Sequence, residues 1–546
     1  MAHDRDTLVL GSRELEISKD ELLVRGTTDG RTKKKKSSRT CGLGSSGAAA
    51  DAPQSIPLYN ILWAEVSDGA LTVDYAQDLS KTCLRAAKLS IPLPTTTTPT
   101  PTPPTEPSAD AAAPTTTTTT TTDAPEAAAT AWAALLLDRS YDAASTRRKR
   151  AYVLINPHAG PGGAVQKFES EVRPIFEAAR MTLTVVTTAR PGEASELVQA
   201  LDPDAYDVVA AASGDGLVYE VFNGLGRRPD ARRALGSLAV VHIPCGSGNA
   251  MACNLYGTHR PAAAALAAVK GVPTPMDLVS VTQGGTRTLS FLSQSLGIIA
   301  EADLATEDLR WMGSSRFTYG FLVRCFKRAV YPCDVSVKVE MDDKAKIKKF
   351  YSRYRSGSLG EAPGEGSGGG DGGGSGSSNA DEGSSVEGAG EGLPPLKYGT
   401  INDKIPDGWE TFSLDKLGNF YCGNMAYMMP ENNMFSAACI DDGLLDLVTV
   451  DGDISPLKSV SLMTSVENGK FFDDPLVSYR KVSAYRVTPR NQADGYISID
   501  GERVPFEPFQ CEVHRSLGLV ISRRGLYEAP GPRGWDKVSV AERIMA

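Results

Sequence analysis

Three glycine-bearing turns, each directly after an apolar run that reads as a β-strand, constrain this chain more than any other feature. They are Asn156-Pro157-His158-Ala159-Gly160-Pro161-Gly162-Gly163 after Tyr152 to Ile155, Ser213-Gly214-Asp215-Gly216 after Val208 to Ala212, and Gly246-Ser247-Gly248-Asn249 after Leu238 to Ile243. Between them lie helical stripes: Val165, Phe168, Val172, Ile175, Phe176 and Ala179, then Ala194, Leu197, Val198 and Leu201, then Leu217 to Leu225. This alternation predicts a largely parallel sheet with helices on both faces, in which ligands gather at the carboxyl ends of the strands. One Gly-Asp-Gly is also an ordinary turn. Three glycine turns at equivalent strand ends point instead to a nucleotide triphosphate site, where glycines let phosphate approach the backbone N–H groups. There Asp215 could take a hydroxyl proton or organise charge around a metal ion. None of the turns is the GxxxxGK[ST] loop, which disfavours that nucleotide fold.

Composition sets the outer bounds. The chain has 546 residues, 41% of them hydrophobic, enough for two or three domains. A formal net charge of -9 argues against nucleic acid as the main partner, because a polyanion calls for a basic face. Nine cysteines lack CxxC pairs and Cys/His metal spacing, the pattern of a reducing compartment such as the cytoplasm with mostly buried thiols. The N-terminus, MAHDRDTLVLGSRELE, does not read as a secretory signal. The longest apolar stretch, Ala127 to Leu137, is shorter than the roughly 20 residues that cross a bilayer, so membrane contact is expected to be peripheral.

Residues 1–90 alternate apolar and polar positions and read as a small antiparallel β module. Its basic loop, Lys33-Lys34-Lys35-Lys36 with Cys41 beyond, reads either as a solvated loop or as a polybasic lipid contact with an acylated cysteine. Residues 91–130 are a Pro/Thr linker, expected to be disordered. The α/β domain follows over 131–275, then a β-rich domain over 276–525 that is split by a Gly, Ser and acid-rich insert at 356–392, and finally a tail at 526–546. Strands expected in the β-rich part include Leu444 to Val450, Lys481 to Val487 and Tyr496 to Ile499, with Leu517 to Ser522 able to close a sheet.

In order and spacing, NPHAGPGG, SGDGLVYEVFNGL and PCGSGNAMA resemble the diacylglycerol kinase catalytic family, and within it the sphingosine (long-chain base) kinases. The resemblance covers about Arg148 to Ser522 apart from the insert. It implies an α/β domain carrying ATP, an antiparallel β domain holding the lipid, and an active site between them. It further implies an ATP and Mg2+-dependent phosphorylation of the primary hydroxyl of sphingosine, dihydrosphingosine or phytosphingosine, in a cytoplasmic enzyme peripherally associated with membranes.

Residue by residue, the resemblance gives Asp215 as the base, with Glu220 steadying metal and water; without it Glu220 would read as a helix-surface acid. Asn156, Gly160, Gly162, Thr188, Ser213, Gly214, Gly216, Gly246, Ser247 and Gly248 would contact the nucleotide. Asp303 would accept from the cationic amine of the lipid, and Arg310 and Arg316 would neutralise the transferred phosphoryl group. Charge spacing alone reads that segment equally as a solvated helix. Asp500-Gly501-Glu502 would return to the nucleotide, though the bare tripeptide is an ordinary hairpin turn. Mg2+ would be held by Asp215, Glu220 and, through water, Asp500. Where family members often carry lysines in the first loop, this chain has Pro161 and Gly163, with Lys167 as a substitute or a helix-surface lysine. His158 and His242 read as structural. Met425, Met428, Met429, Met434 and Phe435 read as an acyl-chain lining or as ordinary core. A ceramide or diacylglycerol kinase of the same family, and a non-catalytic nucleotide-binding membrane scaffold, stay open as alternatives, as does homodimer formation.

Overall fold

A computed structural model describes residues 6–26, 53–80, 83–94, 123–306, 309, 315–357 and 391–538. Lys33 to Cys41 and nearly all of the acidic insert fall outside the described residues, as does the Pro/Thr linker over 95–122. The chain forms two compact units, one of residues 1–148 and 173–181, the other of residues 149–172 and 182–546.

The first unit holds a four-stranded antiparallel sheet (Thr7–Leu10, Arg13–Ile17, Glu21–Gly26, Gln54–Pro57) and a three-stranded one (Ile61–Ser67, Ala70–Ser80, Cys83–Pro92). Alternate residues such as Leu15, Ile17, Leu22 and Val24 are buried, as one-sided burial of a pleated strand requires. The helix Asp123–Ser140 also belongs here and packs on Ile61–Ser67. Its buried residues Ala129, Trp132, Ala133, Leu136 and Leu137 recur at helical spacing, and the Tyr141 hydroxyl beyond it donates to the Leu62 carbonyl at 2.6 Å. This corrects two boundaries: the linker does not run to residue 130, and residues 131–148 are not part of the α/β domain. An apolar helical stripe shows that a face is buried, not which sheet covers it.

In the second unit the strands Thr182–Thr187, Arg150–Ile155, Val208–Ser213 and Ala239–Pro244 lie side by side in that order, all parallel. The two central strands, Val208–Ser213 and Ala239–Pro244, are buried along their whole length, as a sheet covered on both faces demands. The strand Phe509–Ser522 then joins two architectures. It runs parallel to Ala239–Pro244 at Val240 and Val520, and antiparallel to Val272–Gln283 and Ser478–Pro489. From Ser478–Pro489 the sheet continues antiparallel through Leu445–Asp451, Leu417–Gly423, Ser293–Gly297 and Ile497–Ile499. The α/β and β-rich parts therefore share one continuous sheet within one compact unit.

Residues 526–538, read as part of a tail, pack into this unit. Tyr527 is buried and its hydroxyl donates to the Asn424 carbonyl at 2.9 Å, while the Trp535 ring meets Tyr351 edge-on at 5.4 Å. Among the described residues no helix is long and apolar enough to cross a membrane.

Candidate active site

The three glycine loops touch one another through bare backbone. A Cβ built on Gly160, whose φ is +54°, would lie 2.8 Å from the Cys245 carbonyl oxygen, and one on Gly246 would lie 2.4 Å from the Gly214 Cα. Side chains are excluded at both positions because the parallel strands deliver their ends to one place. Asn249, in the left-handed region at φ 55°, closes the third loop by accepting from the Gly246 N–H at 2.9 Å and donating to the Gly246 carbonyl at 2.8 Å.

Asp215 opens the helix Asp215–Gly226. Its carboxylate accepts from the N–H groups of Ala250 at 3.0 Å and Met251 at 3.1 Å, so the acid of the second loop caps the helix of the third. Those two donors fix the carboxylate. His242, which the sequence reading left as structural, stands beside it: Nδ1 is 3.7 Å from Asp215 Oδ1, and Nε2 is 3.0 Å from the Ser213 carbonyl oxygen. A carbonyl only accepts, so Nε2 is the donor. Complete burial lowers the His242 pKa despite the nearby Asp215, and the neutral ring therefore turns the Nδ1 lone pair toward the carboxylate. The signal was in the parallel register, which pairs His242 with Ala211 four residues before Asp215. Glu220, one helical turn deeper, has Oε2 buried with no hydrogen-bond partner.

These residues line a cavity of about 1110 Å³. Its lining includes Asn156, Gly160, Thr188, Ser213, Gly214, Asp215, Gly216, Glu220, Gly246, Ser247, Gly248, Asp500, Gly501 and Glu502. Asn156 accepts from the His158 N–H at 2.9 Å, shaping the first loop, and Glu502 Oε1 lies 3.1 Å from where a Cβ on Gly216 would be. Gly162 is not on the cavity wall. Neither is Lys167; among the described residues the arginines that line it are Arg190 and Arg227, which the sequence reading missed, and Arg190 is close enough to Glu220 to feel its charge. Arg310 and the side chain of Arg316 lie outside the described residues.

Asp500 also lines the cavity. Its fully buried carboxylate accepts from the Ser290 hydroxyl at 2.5 Å and from the N–H groups of Phe291 at 2.8 Å, Leu292 at 3.0 Å and Ser293 at 2.8 Å. Burial pushes its pKa up to about 6 while those donors pull it down. Oδ1 takes three of those donors and Oδ2 one, so this carboxylate holds the 290–293 turn at the wall of the cavity.

In the acidic segment of the helix Ile298–Leu304 the two acids have different surroundings. Glu301 is engaged by Arg324 at 3.1 Å and by the Tyr331 hydroxyl, whereas Asp303 lines the cavity. The apolar part of the wall includes Ile299, Phe321, Met428, Met463, Val466 and Phe471. Of the methionine group, Met428, Met429 and Met434 face the cavity, while Met425 and Phe435 are buried core.

Residues 150–281 match the family model described as the diacylglycerol kinase catalytic domain, and residues 6–142 match a domain of unknown function, DUF7493. Over 393 residues the chain is 36% identical to sphingoid long chain base kinase 4 of Schizosaccharomyces pombe, covering 71% of this chain and 78% of that one. The chain belongs to the sphingoid long-chain base kinase family. A second relative of this kinase, sphingoid long chain base kinase 5 of Saccharomyces cerevisiae, is 35% identical over 427 residues, 72% of this chain and 62% of the relative's length. Sphingosine kinase 1 of Rattus norvegicus is 30% identical over 398 residues, 70% of this chain and 93% of that one. Among the described residues of this kinase no group of three His, Cys, Asp or Glu side chains gathers as a metal site.

Proposed function

We propose that the chain transfers the γ-phosphoryl group of ATP to the primary hydroxyl of a sphingoid long-chain base, giving the 1-phosphate and ADP. The observation that carries this reading is one cavity lined together by the glycine loops, Asp215, Asp303 and an apolar wall. Its volume of about 1110 Å³ exceeds the roughly 300–1,000 Å³ of ordinary ligand pockets, which suits two substrates end to end. In this reading Asn156, Thr188, the loop glycines and Glu502 hold the nucleotide. The positive end of the helix Asp215–Gly226, with Arg190 and Arg227, balances phosphate charge.

Asp215 accepts the hydroxyl proton as the lipid oxygen bonds to the γ-phosphorus and the bond to the ADP oxygen breaks. The capping N–H groups of Ala250 and Met251 hold the carboxylate in place for that step. Glu220, with its unpartnered buried oxygen, fits a Mg2+ ion arriving with ATP, whose chemistry is to neutralise charge on the phosphates.

Asp303 gives the selectivity. A carboxylate facing the cationic amine makes a charge-assisted hydrogen bond of about 1.5–3 kcal/mol, roughly 10- to 100-fold in rate or affinity, which a neutral ceramide or diacylglycerol does not return. Asp303→Asn is therefore expected to lower kcat/KM for sphingosine by about 10- to 100-fold while leaving the KM for ATP unchanged. Steady-state kinetics on both substrates checks this, and an unchanged sphingosine kcat/KM refutes the role of Asp303. Peripheral membrane contact belongs to the same reading, since the lipid must be taken from a bilayer. It is supported by Phe326 at 68% exposure and Leu457 at 85%, on helices whose Phe321, Cys325, Ser459 and Leu462 line the cavity.

A further inference from the structure

Across the antiparallel sheet, Ser295 stands opposite Ser498 on one side and Tyr421 on the other, and all three line the cavity. Strand alternation puts Gln294 and Leu296 on the far face, where Gln294 accepts from the Tyr485 hydroxyl at 2.7 Å and Leu296 joins the core. The near face thus carries a row of hydroxyls in a cavity that accepts an alkyl chain. Ser295 and Ser498 are each only 4% exposed, and both line the cavity. Tyr421 is hydrogen-bonded to Ser293 and feels the Asp303 carboxylate. Gly501, next to the Ser498 strand, leaves room beside Asp303, whose Oδ2 lies 3.9 Å from where a glycine Cβ would be.

Residues directly opposite on antiparallel strands have Cβ atoms about 4.5–5.5 Å apart, so both serine hydroxyls reach the same short stretch of a ligand. These two hydroxyl-bearing residues line the same cavity as the carboxylate that meets the amine. A sphingoid base carries its amine on C2, a hydroxyl on C3 and, in some bases, another on C4, after which the chain is hydrocarbon. Serine pairs beside a bare methylene at C4 lose their water without a replacement, whereas a C4 hydroxyl supplies both a donor and an acceptor.

We propose that Ser295 and Ser498 form a polar subsite that hydrogen-bonds the C4 hydroxyl and makes the cavity favour a 4-hydroxylated base. The proposal rests on the sphingoid-base reading above. It adds the residues that choose among bases, a role separate from that of Asp303.

The test uses phytosphingosine and dihydrosphingosine, which differ only by the C4 hydroxyl, with the full chain and with Ser295→Ala, Ser498→Ala and the double variant. The wild type is expected to prefer phytosphingosine in kcat/KM. In the double variant the ratio should shift toward dihydrosphingosine by about tenfold, each single variant contributing part. Dihydrosphingosine turnover and the KM for ATP should stay near wild type, which also shows that the variant is folded. An unmoved ratio in a double variant that still turns over both bases overturns this proposal alone. A wild type that phosphorylates neither base overturns it together with the proposed function.

Discussion

Asp215→Asn is expected to reduce turnover by about 10²- to 10⁴-fold, the usual contribution of a positioned general base, with ATP affinity largely retained. The asymmetry follows from the double use of the carboxylate. As an acceptor it caps the helix Ala250–Tyr256 through the Ala250 and Met251 N–H groups, and an asparagine oxygen keeps part of that role. As a base it must take up a proton, which the amide cannot do. Loss of one backbone acceptor should lower the melting temperature only modestly, the net worth of one hydrogen bond being about 0.5–1.5 kcal/mol. Single-turnover kinetics with a fluorescent nucleotide separates the two effects. Full turnover in the variant would remove Asp215 from the chemistry.

Gly246→Ala should abolish nucleotide binding by another route. The added Cβ would sit 2.4 Å from the Gly214 Cα and 2.9 Å from its nitrogen, so two loops held by adjacent parallel strands must part. Overpacking of this kind typically costs about 1–3 kcal/mol, and here the displacement falls on the backbone that meets phosphate. The expected result is a folded protein with a lowered melting temperature and no measurable ATP binding by calorimetry. Gly236→Ala is the internal comparison: a Cβ there meets nothing within 4 Å on the helix Ala231–Ser237, and replacing a helical glycine should be neutral or stabilise by about 0.5–1 kcal/mol. ATP binding by Gly246→Ala at wild-type affinity would show that the loops do not depend on their close approach.

The parallel strands and the three loops were legible because their causes are local. Apolar runs such as Val208 to Ala212 have the length and continuous apolar character of buried strands, and a turn lying against another backbone has to be glycine. Asp215 could be singled out because its Gly-Asp-Gly, an ordinary turn when alone, is one of three glycine turns at equivalent strand ends. What escaped the sequence reading depends on distant partners. Asp500 carries no mark of direction within Asp500-Gly501-Glu502; its donors are Ser290 to Ser293, over two hundred residues earlier. His242 gains its meaning only from the register that sets it beside Asp215. Trp132 to Leu137 has a clear helical period, but nothing in that period says that Ile61–Ser67 covers it. Arg190 and Arg227 are isolated arginines in sequence and become cavity cations only through the fold.

The central claim is that a sphingoid base, and specifically its primary hydroxyl, receives the phosphoryl group. The most direct measurement is to incubate the purified full chain with γ-labelled ATP, Mg2+ and an equimolar mixture of sphingosine, ceramide and diacylglycerol, and to identify the labelled lipid and the phosphate position by mass spectrometry. The account predicts label on sphingosine alone, as the 1-phosphate. Label on ceramide or diacylglycerol in comparable amount, or label on the amine or the C3 hydroxyl of sphingosine, would contradict it.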